Sequence, residues 1–414
     1  MPLPQRTPPI TRRYDAGRMR SARANAYPLG AAVTVAALDL DPHPIHERLR
    51  AREPVSWLPV LGAWLVTRRD LVLDAMRDPA ALTVDDPRFS TGRVVGPSML
   101  SLDGAEHRRH RDPFARPFRL GASRERFGEF TVATVDSLID GIAGAPEADL
   151  QATLARPLAV SVMARALGLD PSTNEDMLSW YRTIVQAVTD VAAGEPVSAE
   201  GSAAFASLKR SIEPALDGAP DRSLLAAAAH DAHGLSRDEI ISNAAVLLFG
   251  GIETTEGMIA NLLVHVLGTP GQPGLLRARP ELVADAIEES LRLEPAAAVI
   301  DRYATRDLEL AGAQIGAGDL VTLSLAAANR DPEVFAEPHR FEIGRPNAKL
   351  QLSFAQGPHV CLGMHVARIE ARTVLERVLA RFPEIRLRPG PGSAPRGLVF
   401  RKPVHVHVQL LEAR

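Results

Sequence analysis

The longest uninterrupted helical pattern in the sequence runs from Ser236 to Gly268. Ser236 and Glu239 have the spacing of a capping box, in which each side chain satisfies a free backbone N–H group at the start of a helix. The pattern ends at Gly268, Thr269 and Pro270, because glycine and proline commonly follow the last turn of a helix. A helix of about 31 residues is about 46 Å long, enough to cross a whole domain. The rest of the chain must therefore pack around it.

Composition and charge exclude several classes of protein. The chain has 414 residues and a formal net charge of −3 at pH 7. This near balance creates no global field that would attract nucleic acid or an acidic membrane surface. No apolar run approaches the roughly 20 residues needed to span a bilayer, and the N-terminal region lacks the apolar core of a secretory signal. We therefore expect a cytoplasmic protein without a membrane span.

Helical periodicity dominates from about residue 105 to residue 380, and the segments with strand character are short. The expected fold class is mainly α with a minor β region. Alternating apolar residues predict a hairpin that turns at Leu61 and Gly62, and residues 78–100 are expected to be irregular. Further strands are expected at residues 299–304, 308–310 and 404–410.

Two regions differ in composition. Residues 1–38 are expected to form a polar, proline-containing lead that is partly disordered. Residues 39–414 are expected to form a single domain, since large enzymes often build one body of this size around a cofactor.

The centre of the long helix combines small, acidic and hydroxyl residues, with Gly250 and Gly251 followed by Glu253 and Thr254. Each glycine inside a helix costs about 1 kcal/mol relative to alanine, so both need a physical reason. One interpretation is close packing against another helix. The other is a local opening, in which the Thr254 hydroxyl bonds to the Gly250 carbonyl group and leaves room for a small ligand. An acid beside an alcohol on so apolar a helix favours a role in handling protons.

Cys361 is the only cysteine in the chain, which excludes an internal disulfide and any site built from several cysteines. It lies between Gly357 and Gly363, just before a helical pattern that runs from Met364 to Arg381. A lone cysteine is most often a small buried apolar residue. At the start of a helix, however, free N–H groups and the helix dipole stabilise a thiolate, so we expect a lowered pKa for this thiol.

The loop over residues 354–363, Phe-Ala-Gln-Gly-Pro-His-Val-Cys-Leu-Gly, resembles the haem-binding loop of the cytochrome P450 family, of the soluble bacterial type. The resemblance implies the cytochrome P450 fold, with a long central helix across a buried haem b whose iron is bound by the Cys361 thiolate. A thiolate ligand donates electron density to iron and favours cleavage of the O–O bond. Phe354 and Gly363 would belong to this cofactor-binding loop. The sequence departs from the family at Ala355, where Gly, Ser, Asn or His usually follows the phenylalanine.

The resemblance extends over residues 103–370 and implies further contacts with the haem. The two propionate groups of a haem need cationic partners at the rim of the pocket. Each candidate alone is a weak signal because arginine is plentiful in this chain. The positions that match the family are His107, Arg111, Arg302 and His359.

Glu289 and Arg292 lie three residues apart, which makes them neighbours on one face of a helix. Taken alone, such a pair is usually a solvated surface contact that contributes little to stability. The resemblance gives this Glu-x-x-Arg pair a structural role and not a catalytic one.

The resemblance implies a monooxygenase that inserts one atom of O2 into a hydrophobic small molecule by hydroxylation or epoxidation. A natural-product intermediate is the expected substrate. Thr254 would orient oxygen and pass it a proton, and Glu253 would relay protons to Thr254. Three alternatives within the fold are desaturation, oxidative coupling and dehydration. A haem-binding sensor without turnover is a further alternative.

Electrons would come from a ferredoxin and its NAD(P)H-dependent reductase. The chain contains no flavin segment, and its single cysteine cannot bind an iron–sulfur cluster of the plant ferredoxin type. The acidic partner would dock on a positive face around the cysteine loop. The expected residues of this face are Arg108, Arg109, Arg116, Arg345, Arg368 and Arg372.

An apolar substrate pocket is expected above the haem. Small side chains over residues 296–299 would leave room for a bulky substrate. Trp180, Tyr181 and Ile184 would form its roof, although ordinary helix packing explains them equally well. The expected lining residues are Val95, Met99, Leu100, Val246, Leu247, Gly250, Ala298 and Val299.

Overall fold

The computed structural model describes residues 21–169, 174–192, 194–218, 223–231, 234–388 and 390–411. Helices dominate this part of the chain. Residues 21–26 are helical. The α-helices that follow are α1 (Pro28–Ala31), α2 (Val35–Leu40), α3 (His43–Arg52), α4 (Arg69–Arg77), α5 (Ser90–Val95), α6 (Gly104–Ala115), α7 (Leu120–Asp140), α8 (Arg156–Leu167), α9 (Asn174–Ala192), α10 (Ala199–Ile212), α11 (Leu224–Ala229), α12 (Arg237–Gly268), α13 (Gln272–Ala278), α14 (Val283–Leu293), α15 (Leu325–Ala328) and α16 (Met364–Arg381).

The strands are short and form three small sheets. They are β1 (Val55–Leu58), β2 (Ala63–Val66), β3 (Leu82–Thr83), β4 (Glu147–Asp149), β5 (Val299–Ala304), β6 (Leu308–Leu310), β7 (Ala313–Ile315), β8 (Leu320–Ser324), β9 (Glu384–Leu387) and β10 (His407–Leu411). The largest sheet has the order β1-β2-β8-β5-β3, in which only β2 and β8 are parallel. The other two have the orders β4-β10-β9 and β6-β7. The expected class, mainly α with a minor β region, is confirmed.

Helix α12 begins and ends where the sequence predicts. The Ser236 hydroxyl accepts a hydrogen bond from the Glu239 N–H group at 3.3 Å, and the Glu239 carboxylate accepts one from the Ser236 N–H group at 2.8 Å. The helix packs against α8, α14 and α16. By length and composition alone it could cross a membrane, yet 67% of its most apolar window is buried inside the protein. Helix α12 is therefore the core around which the other helices pack.

Within the predicted lead, residues 21–38 are mostly helical, and the earlier part lies outside the described residues. Arg23 explains the order of residues 21–38. Its guanidinium lies 4.8 Å from the ring centre of Trp57 and 5.1 Å from that of Trp64, and it forms an ion pair with Asp319 at 2.6 Å. A cation stacked on two indole rings and paired with a carboxylate anchors this segment to the large sheet.

The hairpin predicted at Leu61 and Gly62 is present as β1 and β2, and Gly62 has a φ of 60°. The segment over residues 78–100 is not wholly irregular, since it contains β3 and α5. The last strand begins at His407 instead of residue 404, because the N–H groups of Val404 and His405 both donate to the Gly392 carbonyl group in a turn.

Glu289 and Arg292 are fully buried, not solvated. Arg292 donates to both carboxylate oxygens of Glu289, at 2.7 and 2.8 Å, and Arg345 donates to the same two oxygens at 3.0 and 3.1 Å. Arg292 also donates to the carbonyl groups of Asn329 and Pro338. The network fixes α14 against the segment that precedes the cysteine loop. Arg345 therefore does not belong to a docking face, which corrects the expectation from sequence.

Replacing Arg292 with alanine should destabilise the protein severely. Removing one partner of a buried ion pair costs about 3–5 kcal/mol, since the other charge stays buried with fewer partners. Arg279→Ala is a matched control because its ion pair with Glu281 is exposed and is worth about 1 kcal/mol or less. Thermal unfolding midpoints measure both effects. An Arg292→Ala midpoint no lower than that of Arg279→Ala would contradict the structural role.

Candidate active site

The cysteine loop is a tight turn that ends at the start of α16. The Cys361 N–H group donates to the Phe354 carbonyl group at 2.8 Å, which closes the loop on itself. Gly357 has a φ of 76°, and a Cβ atom built there would lie 2.5 Å from the Met76 carbonyl oxygen, so only glycine fits. Ala355, the residue that departs from the family, also has a positive φ, of 56°. The loop thus requires a left-handed backbone at a position where alanine is strained.

Cys361 is half-buried, and burial raises the pKa of its thiol. The N–H groups of Gly363 and Met364 and the nearby charge of Arg111 lower this pKa but offset only part of the effect of burial. The lowered thiol pKa expected from sequence is therefore wrong for this structure, because desolvation outweighs the start of the helix. Coordination to a metal ion would still deprotonate the thiol.

His107 and His359 meet beside the loop, with ring centres 4.3 Å apart. Burial, with the neighbouring His359 and Arg111, lowers the pKa of His107 to about 4, so its imidazole is neutral at pH 7. The His359 ring bonds to the Asp103 carboxylate at 2.8 Å. Burial alone would raise the pKa of Asp103, but hydrogen bonds from His359 and Thr83 lower it to about 2. Sequence reasoning did not identify this carboxylate as part of the site.

The two predicted arginines are also close to this region. Arg111 donates to the Val360 carbonyl group, directly before the cysteine, at 2.5 Å. Arg302 is buried and donates to the Asp301 carbonyl group at 2.7 Å. Burial lowers the pKa of Arg302 and of His359, and the charge of Asp103, which favours the protonated form of each, offsets part of this effect. Asp103, Arg302 and His359 therefore lie close together.

The two glycines of α12 have different roles. A Cβ atom at Gly251 would lie 2.2 Å from the sulfur of Met163, so this glycine allows close packing against α8. A Cβ atom at Gly250 would meet open space. Gly250 is exposed and Thr254 is half-buried, although their neighbour Ile252 is fully buried. The Thr254 hydroxyl donates to the Gly250 carbonyl group at 2.5 Å, as predicted. Helix α12 therefore borders an open space at this turn.

Glu253 is held by partners from other parts of the chain. Its carboxylate accepts a hydrogen bond from the Tyr181 hydroxyl and forms an ion pair with Lys402 at 2.5 Å. Lys402 also pairs with Glu256, which Arg156 contacts at 3.0 Å. Burial and the charge of Glu253 raise the pKa of Tyr181, so its hydroxyl remains a donor. Tyr181 was expected only in the roof, and Lys402 carried no signal in the sequence because its partners are about 150 residues away.

Most of the predicted pocket residues pack in the same apolar cluster as the side chains of α12. They are buried or half-buried there, and the predicted roof residues belong to the same cluster. The Met99 N–H group donates to the Asn243 side chain at 2.8 Å, which joins the segment after α5 to α12. The pocket residues of this cluster are Val95, Met99, Leu100, Val246 and Leu247.

Ala298 and Val299, which are also predicted to line the pocket, lie in a different apolar cluster. They pack with Ala326 and border a small cavity with His46 on the side of the large sheet. The backbone of Ala298 explains this position, since its N–H group donates to Val399 and its carbonyl group accepts from Ala326.

The predicted positive face is smaller than expected. Arg109 pairs with Glu239, and Arg368 pairs with Glu288, so neither is a free surface charge. Arg345 is buried, as described above. Of the remaining predicted members, Arg108 and Arg116 are exposed, and Arg372 is exposed but pairs with Glu376 at 2.8 Å.

Comparison with known proteins decides the family. A sequence model of the family described as "Cytochrome P450" matches residues 277–395. Nocardicin C N-oxygenase from Nocardia uniformis subsp. tsuyamanensis is 36% identical over 407 residues, which cover 94% of this chain and 100% of that protein. The chain belongs to the cytochrome P450 family. The cytochrome P450 monooxygenase PikC from Streptomyces venezuelae is 32% identical over 373 residues, covering 85% of this chain and 86% of PikC.

The fold agrees with this assignment. The crystal structure of P450BioI in complex with an acyl carrier protein ligated to hexadec-9Z-enoic acid matches with a TM-score of 0.80 and 27% identity, covering 91% of this chain and 100% of that chain. The cytochrome P450 fold and the enzyme class expected from the sequence, a cytochrome P450 monooxygenase, are confirmed.

The haem that a cytochrome P450 implies fits the residues present. His107 is buried, and its Nε2 atom has no hydrogen-bond partner among the described residues, as expected of a donor that binds an acidic group of a ligand. Arg302 is likewise buried and forms no ion pair with a carboxylate of any described residue. A Cβ atom at Gly250 or at Gly363 would meet no atom within 4 Å, so neither glycine obstructs a ligand.

Gly357→Ala should prevent stable haem binding by this cytochrome P450. The new methyl group would collide with the Met76 carbonyl oxygen and strain a left-handed backbone, which displaces the loop that carries Cys361. Gly128→Ala in α7 is the control, because a Cβ atom there meets no atom within 4 Å and alanine favours a helix. The haem absorbance per purified chain measures the effect. Equal haem content in both variants would refute the requirement for glycine.

Lys402→Met should lower stability through Glu253 and Glu256. These carboxylates share the Lys402 ammonium group, and its loss leaves two acids close together. The cost should lie between that of an exposed pair, about 1 kcal/mol, and that of a fully buried pair, about 3–5 kcal/mol. Lys209→Met is the control because its pair with Asp238 is exposed. Thermal midpoints that fall equally in both variants would contradict a shared role of Lys402.

Proposed function

We propose that this cytochrome P450 inserts one atom of O2 into a hydrophobic natural-product intermediate, by hydroxylation or epoxidation. The observation that carries the proposal is the open turn of α12, where Thr254 bonds to Gly250 beside the acid Glu253. A sensor or carrier of haem would not need an acid and an alcohol beside the space where oxygen would bind. Turnover is therefore favoured over simple binding.

The residues divide into those that would hold the cofactor and those that would act on the reactants. Cys361 would bind the haem iron. The bound haem would supply activation of O2, helped by the electron donation of a thiolate. Buried His107 and Arg302 would donate hydrogen bonds to the propionates, and Arg111 and His359 would add positive charge or donors at the same rim.

Thr254 and Glu253 would transfer protons to the reactants. Thr254 would donate its hydroxyl proton into the open space beside Gly250, after giving up its bond to the Gly250 carbonyl group. Glu253 would take up a proton from solvent and pass it to Thr254. Because Lys402 and Tyr181 hold both oxygens of Glu253, one of these contacts must break before the carboxylate turns towards the pocket. The contacts with Lys402 and Tyr181 thus hold the Glu253 side chain in place between proton transfers.

An apolar substrate is favoured by the lining residues on α12 and by the segment after α5. The names of similar proteins indicate more than one reaction. One relative is named nocardicin C N-oxygenase, and one solved structure, with a TM-score of 0.82 and 28% identity, is titled for C–S bond formation. Oxidative coupling at a heteroatom is therefore the second candidate reaction, beside insertion of oxygen at carbon.

We infer a ferredoxin as the electron donor and the cytoplasm as the location. The exposed arginines Arg108 and Arg116 would attract an acidic partner. Association between exposed charges weakens as ionic strength rises. A rate of reduction by ferredoxin that is independent of salt would exclude this surface.

The absorption spectrum of the reduced protein with carbon monoxide tests the proposed haem–thiolate site directly. The Soret band should be strongly red-shifted relative to that of histidine-ligated haem, because sulfur donates more electron density. Cys361→Ser is the control and should lose this band. A spectrum typical of histidine ligation in the unmodified protein would overturn the proposed function.

Thr254→Ala tests the proton-delivering role. Product formation with a surrogate ferredoxin and reductase should fall by about 10-fold or more, while peroxide released per NAD(P)H consumed should rise, because oxygen is reduced without receiving its proton in place. Thr134→Ala in α7 is the matched control, since Thr134 makes the same type of bond to the Phe130 carbonyl group, at 2.8 Å, outside α12. Unchanged coupling in Thr254→Ala would remove this residue from the mechanism.

A further inference from the structure

Asp149, His405 and His407 form a group of potential metal ligands outside the proposed haem site. Asp149 ends β4 and His407 begins β10, and the two residues are directly paired across the antiparallel strands. His405 and His407 are two residues apart, so both side chains lie on the same face as Asp149. One ligand atom from each of the three residues lies within 4.8 Å of the other two.

The carboxylate of Asp149 is fixed by the backbone. Its Oδ1 atom accepts hydrogen bonds from the Val406 N–H group at 2.9 Å and from the Gln151 N–H group at 3.1 Å. Its Oδ2 atom bonds to Nδ1 of His405 at 2.8 Å. These two atoms are an imidazole nitrogen and a carboxylate oxygen, both of which bind zinc. A metal ion at this position would replace the proton of the hydrogen bond between them.

The His407 imidazole lies beside the pair formed by Asp149 and His405. Its ring is stacked on that of His405, with ring centres 4.9 Å apart and planes 19° apart. It is exposed, and its imidazole makes no hydrogen bond to any described residue. Only stacking on His405 restrains the His407 ring within the described residues, so its nitrogens are available to a ligand shared with Asp149 and His405.

We propose that Asp149, His405 and His407 bind one transition-metal dication of the Zn²⁺ type at the outer face of the β4–β10 pair. Two imidazole nitrogens with one carboxylate suit zinc, copper and nickel, whereas calcium and magnesium require oxygen ligands. Zinc is bound by nitrogen and oxygen at about 2.0–2.2 Å, so the exposed His407 side chain must close part of the present distance. Water would complete the coordination.

A simple ion pair between His405 and Asp149 is the alternative. It explains the bond of 2.8 Å but not the presence of a second imidazole stacked on the first, opposite the same carboxylate. A metal ion uses all three groups. It would also tie the last strand to β4 and so restrain residues 402–407, the segment that carries Lys402.

Calorimetric titration of the untagged, haem-loaded protein with ZnCl2, after removal of metals with a chelator, tests this proposal. One zinc ion should bind per chain, and the thermal midpoint should rise with zinc because the ion binds the folded state. His407→Ala and Asp149→Asn should each weaken binding by about 10-fold or more. Gln409→Ala is the matched control, because Gln409 lies on the same face of β10 and is paired with Glu147.

The haem content of each variant shows that it is folded, since His407 is exposed and away from the core. Zinc binding that is lost in His407→Ala and kept in Gln409→Ala supports the site. The proposal is overturned if the unmodified protein takes up no zinc, if the three variants bind it equally, or if calcium binds as tightly as zinc at the same residues.

Discussion

The buried carboxylate of Glu289 is the constraint on which the region around the cysteine depends. It accepts hydrogen bonds from Arg292 and Arg345, and none of the three side chains is available to water. A buried charge that lost these partners would destabilise the fold strongly, so α14 and the segment before the cysteine loop can adopt only one relative position. Asn329, whose carbonyl group Arg292 holds, in turn binds the Leu352 N–H group at 2.7 Å, just before the loop. The position of Cys361 thus follows from a network that never touches it.

Helix α12 meets two opposing requirements. As the longest helix it must bury its side chains to form the core, yet the proposed chemistry needs open space and mobile protons at its centre. One glycine meets each requirement. Gly251 allows Met163 of α8 to pack closely against the helix, whereas Gly250 faces open space. Glu253 would be costly on such a helix without partners, and Lys402 and Tyr181 supply them from distant segments. The acid is therefore stable at rest and still adjacent to Thr254.

Features encoded by neighbouring residues were predictable, whereas features that depend on distant partners were not. The capping box of α12, the hairpin turn and the bond from Thr254 to Gly250 all follow from short spacings, and each is present. The errors have the opposite origin. Arg345 was assigned to the surface because its partner Glu289 lies 56 residues away. Cys361 was expected to have a lowered thiol pKa from its place before a helix, but burial, which depends on the whole fold, has the larger effect.

The sequence by itself determined the fold class, the loop that carries Cys361 and the acid–alcohol pair of α12, because these rest on local spacing and backbone preference. It also carries the resemblance by which the family is recognised. Only the tertiary structure decided which side chains are buried and which charges meet. It placed Lys402 and Tyr181 beside Glu253, Asp103 beside His359, and His405 and His407 beside Asp149. Burial and long-range pairing depend on how helices and strands pack, and the order of residues along the chain does not reveal them.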